Sequence, residues 1–385
     1  MRFRQFGRLG WKVSALGFGC MRLPTFDGAP QSEKVDKDTA AGMIRMAIDR
    51  GVNYIDTAYP YHNGVSEAVV GEALKDGYRS KVRLATKSPV WLLKRAEDFD
   101  FYLDEQLKRL QTGQVDFYLL HALNKPRWDA ILALGLPAKA EAAIKDGRIG
   151  HLGFSFHDKS DIFQEIVDGY DGWTLCQVQY NYMDTENQAG TAGVRYAASK
   201  GLAVVAMEPL LGGRLANPPR QIQEIFDGFE PRRSPADWAL RWVWDQPEVS
   251  AVLSGMSAPG QVEANLRSAE NSAVHALDAD EFALIDRVRK AYLEKTPIAC
   301  TNCGYCLPCP KGVNIPRNFS LYNDGYIHED PGTGRLLYAR FLAENERAGA
   351  CEQCGACEEK CPQDISIRQW MPKVHAVLGE EKSYP

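Results

Sequence analysis

The chain has 385 residues, 45% of them hydrophobic and 25% charged, with a formal net charge of −5. That length accommodates one large domain and one small one; the acidic balance offers no basic patch for nucleic acid, and no apolar run approaches the ~18 residues of a membrane span. The opening Met1-Arg2-Phe3-Arg4-Gln5-Phe6 carries no signal-peptide core and reads as a mature start, so a soluble cytoplasmic protein is expected.

From the N-terminus, short apolar, β-branched or aromatic runs end near Gly19, Asp56, Thr86, Leu120, Gly153, Val178, Ala206 and Leu253. Between most of them lies a helical pattern. In residues 99–110, Phe99, Tyr102, Leu103, Leu107 and Leu110 fall on one apolar face. Eight strands alternating with helices predict a parallel (β/α)8 TIM barrel, a fold of roughly 250 residues. A doubly wound sheet would want Gly-x-Gly-x-x-Gly after its first strand, but Gly17-Phe18-Gly19-Cys20-Met21-Arg22 places arginine at the third glycine.

Function in such barrels sits at the C-terminal ends of the strands. Asp56 ends one strand and Tyr61 follows five residues later; Lys87 and His121 directly follow the next two runs. Barrel geometry should bring these four to one rim. A lysine beside a tyrosine would lower the phenol's pKa toward neutrality and make it a proton donor. The aspartate would hold the lysine charged, and the histidine could orient a carbonyl oxygen. Cys20 is read as a small buried hydrophobe at the end of strand one, and Cys176 as packing. Trp238, Trp242 and Trp244 are read as core, and Arg22 as either a phosphate or acidic-substrate contact or a surface charge.

Asp56-Thr57-Ala58-x-x-Tyr61 with Ser66-Glu67, Ala85-Thr86-Lys87 and Leu119-Leu120-His121 resembles the signature of the aldo/keto reductase superfamily. The opening Phe6-Gly7-Arg8-Leu9-Gly10 through Phe18-Gly19 is similar as well, as a hairpin leading into the first strand. The resemblance covers residues 1 to about 295. It implies Tyr61 as general acid, Lys87 and Asp56 as its pKa-setting pair, His121 as carbonyl positioner, and a nicotinamide hydride donor. It also implies cofactor contacts at Ser155, Gln177, Met207, Gly212, Gly213, Arg214 and Asn265. Phe156 replaces the asparagine that the family pairs with Ser155, and Met207 replaces a stacking aromatic. After the eighth strand, Gly255 and Gln261 stand where the family places a lysine and an arginine on the 2′-phosphate, so NAD is expected over NADP.

Eight of the ten cysteines lie beyond this region, as Cys300, Cys303, Cys306 and Cys309, then Cys351, Cys354, Cys357 and Cys361, each run followed by proline. Consecutive x2 spacings fit the four irons of a cubane better than zinc, which usually takes two separated pairs. Two such runs predict two [4Fe–4S] clusters. The pattern resembles bacterial two-cluster ferredoxins, which implies crossed ligation: Cys300, Cys303, Cys306 with Cys361, and Cys351, Cys354, Cys357 with Cys309. A helical stretch from Ala279 to Leu293 followed by Pro297 places the boundary between a barrel of residues 1–295 and a ferredoxin-like iron–sulfur domain of residues 296–385.

Nicotinamide delivers two electrons as hydride, whereas each cluster moves one, which leaves three readings open. The barrel is a nicotinamide-linked carbonyl reductase or alcohol dehydrogenase; or the clusters feed electrons to a substrate that Tyr61 protonates; or the protein is an electron-transfer or partner-binding module. Partners expected are a small carbonyl compound and a ferredoxin or other electron carrier.

Overall fold

A computed structural model describes residues 1–29, 32–300, 304–361 and 363–385. Its chain groups into two compact units, residues 1–216 with 233–281, and residues 217–232 with 282–385.

In the first unit, strands β1 (Phe3–Phe6) and β2 (Leu9–Ser14) pair as an antiparallel hairpin, with Phe3 opposite Ser14. The remaining strands are β3 (Leu16–Gly19), β4 (Tyr54–Asp56), β5 (Arg83–Ser88), β6 (Val115–Leu123), β7 (Ile149–Phe156), β8 (Leu175–Gln179), β9 (Ala203–Met207) and β10 (Val249–Gly255). All eight are parallel and close in the order β10-β3-β4-β5-β6-β7-β8-β9. This is the expected (β/α)8 barrel. Its strands are nearly all buried on both faces, which explains why they read as continuous apolar runs rather than alternations.

The hairpin closes the end of the barrel at which the strands begin. Phe6, Val13, Tyr54, Phe117, Leu175, Ala203 and Leu253 share one core, with Leu9 and Trp11 against it. Phe6 meets Phe117 at 4.9 Å and Trp11 at 5.2 Å between ring centroids. Burying Phe6 fully contributes about 1.5–3 kcal/mol. The turn needs glycine at position 7: its φ is +53°, and a Cβ there would sit 2.4 Å from the backbone N of Ala203. Arg4 pins the hairpin further by donating to the carbonyls of Trp244, Gln246, Val249 and Ser272.

Outside the barrel, helix Glu97–Leu110 buries Phe99, Leu103, Leu107 and Leu110, the face its periodicity gives. Trp238, Trp242 and Trp244 are buried on helix Pro235–Asp245, and Cys20 and Cys176 are buried too.

The second unit is helical among its described residues. Helices Ile315–Ile327, Pro331–Phe341 and Ile367–Leu378 enclose Val313, Phe319, Tyr322, Tyr338, Met371 and Val374. Two buried asparagines on the first of these helices hold the cysteine-bearing segments. Asn323 exchanges hydrogen bonds with both the N–H and the C=O of Ile298, just before Cys300. Asn318 donates to the carbonyls of Asn314 and Glu346 and accepts from the N–H of Ala348, just before Cys351. No helix among the described residues is long and apolar enough to cross a membrane.

Candidate active site

Asp56, Tyr61, Lys87 and His121 converge at the C-terminal end of the barrel. Register sets this directly, because β4 pairs with β5 and β5 with β6, with Asp56 opposite Ala85 and Lys87 opposite Leu119. Two placements differ in detail from the sequence reading. Lys87 lies within β5 rather than after it. His121 lies within β6, where a register shift between Leu120 and Leu123 and a positive φ at Ala122 turn the strand end.

Lys87 is the hub. Its Nζ donates to Asp56 Oδ1 at 2.5 Å, to the Thr57 carbonyl at 2.8 Å and to Tyr61 Oη at 3.3 Å. The Lys87 and Asp56 side chains are only 1% and 3% exposed. The His121 ring lies edge-on to Tyr61 at 6.0 Å and 5.3 Å from Trp91.

Burial raises the Asp56 carboxyl above its ordinary range, an effect that Lys87 opposes. For Lys87, burial alone would depress the ammonium, but Asp56 and Tyr61 together outweigh it and hold the group above its usual value. For Tyr61 the outcome differs from the sequence expectation. Burial raises the phenol, and Lys87 offsets only part of that rise. The reason is that Lys87 spends its closest hydrogen bond on Asp56, whose negative charge also raises the phenol. The resting tyrosine is therefore protonated. Burial, reinforced by Lys87, His157 and Arg127, holds His121 well below its usual pKa, so its imidazole is neutral. Its Nδ1 is buried without a partner among the described residues.

A buried frame behind the site fixes Lys87. Glu67 accepts from Thr86 Oγ1 and from Gln106 Nε2, both at 2.6 Å, and pairs with Arg109 at 3.5 Å. Gln106 also donates to the Lys87 carbonyl at 3.0 Å and accepts from Tyr118 at 2.7 Å. In the sequence Glu67 stands out only as part of the Ser66-Glu67 motif, and Gln106 does not stand out at all. The one available signal was a glutamine on the apolar face of its helix.

The expected cofactor positions line the same end. Gln177, beside Asp56, donates to Met207 Sδ at 3.7 Å and leaves its buried Oε1 without a partner among the described residues. Ser155 Oγ accepts from the Ala122 N–H at 2.7 Å and keeps its own proton to donate. Gly212 and Gly213 both have positive φ on the turn after β9, which also carries Arg214. Asn265 is buried and donates to Ser254 Oγ at 2.9 Å. Gln261 accepts from the Ser257 N–H at 2.8 Å. These donors and the orphaned amide oxygen fit a carboxamide at Ser155 and Gln177, and the open glycine turn fits a diphosphate.

In the second unit, a small cavity of about 20 Å³ is lined by Cys300, Cys306 and Cys361 together with Ile315, Phe319, Ile365 and Ile367. Cys309 is not among its walls; it lies beside Cys351 and Cys357 instead. Cys303 lies outside the described residues, as does Pro362. Among the described residues no three His, Cys, Asp or Glu side chains converge on a single-ion site; Cys300, Cys306 and Cys361 stand around the small cavity instead.

Residues 15–290 match the model of the aldo/keto reductase family, and residues 299–366 match that of a 4Fe-4S dicluster domain. The chain is 28% identical over 314 residues to an L-galactose dehydrogenase from Arabidopsis thaliana, covering 75% of this chain and 94% of the relative. It is 26% identical over 306 residues to the aldo-keto reductase YhdN from Bacillus subtilis, covering 69% and 87%. Among solved structures, the aldo-keto reductase AKR11C1 from Bacillus halodurans in its holo form matches with a TM-score of 0.62 and 25% identity, over 75% of this chain and 96% of that one. The barrel and its relatives agree: the chain is an oxidoreductase that belongs to the aldo/keto reductase family, with an iron–sulfur domain at its C-terminal end.

Proposed function

We propose that the protein reduces an aldehyde or ketone, or oxidises the corresponding alcohol, with Tyr61 as the acid that protonates the carbonyl oxygen. The observation that carries this reading is Lys87 Nζ standing between Asp56 Oδ1 and Tyr61 Oη. A buried phenol that stays protonated at rest holds the proton to be delivered. As the O–H bond breaks, the Lys87 ammonium 3.3 Å away stabilises the phenolate, and Asp56 keeps that ammonium charged. Neutral His121 can donate a hydrogen bond to the same carbonyl oxygen, fixing its position without competing as an acid.

A bound nicotinamide would supply the hydride. Ser155 and Gln177 would hold its carboxamide, Met207 would pack on the ring, Gly212, Gly213 and Arg214 would receive the diphosphate, and Asn265 would bind the adenosine end. NAD is favoured over NADP because Gly255 and Gln261 bring no charge to a 2′-phosphate, and Gln261 is already engaged with Ser257.

We draw the functional boundary at residue 295. Beyond it, two [4Fe–4S] clusters would be held in crossed fashion, one by Cys300, Cys303, Cys306 and Cys361, the other by Cys351, Cys354, Cys357 and Cys309. The support is that Cys361, not Cys309, shares the cavity with Cys300 and Cys306. When bound, the clusters would supply one-electron transfer to a ferredoxin or similar carrier, in a reducing cytoplasm where thiolate ligands persist.

Tyr61→Phe tests the acid. It should lower carbonyl reduction by about 10²–10⁴-fold while leaving iron content and the visible spectrum unchanged. Full turnover by that variant defeats the assignment. An anaerobic titration with NADH, followed by cluster absorbance and EPR, separates hydride chemistry from a cluster-fed reduction. A wild type that fails to bind NADH, yet turns over carbonyls when dithionite reduces its clusters, favours the latter.

A further inference from the structure

Arg22 ends the short turn Cys20–Arg22 that follows β3. It is half-buried, and among the described residues its guanidinium has no hydrogen-bond or ion-pair partner. Two neighbours define its place. A Cβ built on Gly212 would lie 4.0 Å from Arg22 Nη2, so the guanidinium stands beside the Gly212–Gly213 turn. A Cβ built on Gly255 would lie 2.9 Å from Arg22 Cγ and 3.2 Å from its Cβ, so the arginine stem occupies the space that a side chain at 255 would need. The register explains the meeting, since Gly19 of β3 pairs with Gly255 of β10. An arginine at 22 and a longer residue at 255 therefore exclude each other.

We propose that Arg22, reaching from β3 across β10, is a second cation, beside Arg214, that holds the diphosphate of the nicotinamide cofactor; this rests on the nicotinamide reading above. An unpaired guanidinium is a suitable partner for a diphosphate, because its planar fork can donate two parallel hydrogen bonds to phosphate oxygens. Gly212 and Gly213, at φ +69° and +102°, present a turn whose backbone an anion can approach closely. The end of β3 thus brings a positive charge to the diphosphate turn, in the space that the glycine at the end of β10 leaves open.

The test is binding to the full-length protein, read by isothermal titration with NADH, NADPH, ADP-ribose and nicotinamide mononucleotide. Arg22→Ala should weaken NADH and ADP-ribose alike by about 10- to 100-fold, the range for a charge-assisted hydrogen bond, and leave the mononucleotide, which lacks a diphosphate, within a few-fold. Arg22→Lys should recover part of the loss. Gly255→Ala should also weaken ADP-ribose by displacing the arginine stem, yet cost nothing further in the Arg22→Ala background. Should Arg22→Ala fail to fold, Arg22→Lys and Gly255→Ala carry the same test. Unchanged ADP-ribose affinity in Arg22→Ala, or a loss confined to NADPH, overturns the assignment while the nicotinamide reading stands. A wild type that binds none of the four overturns both.

Discussion

Replacing Asp56 by asparagine isolates the electrostatics of the site. The substitution leaves the Lys87 ammonium buried among neutral partners alone: the amide oxygen at position 56, the Thr57 carbonyl and Tyr61 Oη. Breaking one side of a buried ion pair costs about 3–5 kcal/mol. An independent ceiling agrees: the unpaired lysine can escape by losing its proton, which at pH 7 costs about 5 kcal/mol from an ordinary pKa near 10.4. At roughly 2–4 °C per kcal/mol for a domain of this size, the thermal midpoint should fall by roughly 6–20 °C. The sign of the pH dependence follows from the same ceiling. In the variant the unfolded chain binds the proton that the folded one releases, so its stability rises with pH. At pH 9 the escape costs only about 2 kcal/mol, and the deficit should shrink accordingly. Asp56→Asn with Lys87→Met removes both charges and should be far more stable than the two single losses added together. Near-UV circular dichroism melts at pH 7 and pH 9 read all of this. A deficit as large at pH 9 as at pH 7, or a double variant that equals the sum of the singles, refutes the buried-pair account.

Other expectations concern the rest of the molecule. His62 accepts the Leu23 N–H on Nε2 at 3.1 Å and bonds the Ser32 carbonyl through Nδ1 at 2.9 Å, which only the neutral tautomer can do. Burial depresses its pKa, so the stability it contributes is complete above about pH 6.5 and is lost as pH falls below that; His62→Gln should flatten the acid side of the melting profile, leaving whatever slope His121 causes. If ligation is crossed, Cys309→Ser should remove the same EPR signal as Cys351→Ser, and Cys361→Ser the same signal as Cys306→Ser. Pairing within each run instead would contradict the cavity geometry. Gly7→Ala should lower the thermal midpoint by several degrees through a left-handed turn and a backbone clash, and an unchanged melt would show that the hairpin does not contribute to barrel stability.

The barrel was legible because parallel strands buried on both faces leave apolar runs whose ends can be counted, and the four candidate catalytic side chains sit at three of those ends. What escaped reading depends on three-dimensional approach. Gln106 looks like any helix residue until Glu67 and the Lys87 carbonyl meet it. Asn318 and Asn323 carry no motif, yet they tether both cysteine segments to one helix. Lys87 does lower the Tyr61 phenol as the sequence implies, but burial outweighs it, because the charge of a neighbour is visible in sequence, whereas the depth of burial is not. Arg22 could not be placed beside Gly212 and Gly255 without the register of β3 and β10.

The hairpin that seals one end of the barrel has a kinetic consequence. With Phe6, Trp11 and Val13 filling that end, every molecule that reaches Tyr61 must arrive and depart through the same doorway. Traffic is then two-way through one passage, and a lingering product blocks the next substrate. Product should accordingly compete with substrate for the free site, and release rather than bond-making is the step on which surface loops at the mouth can act.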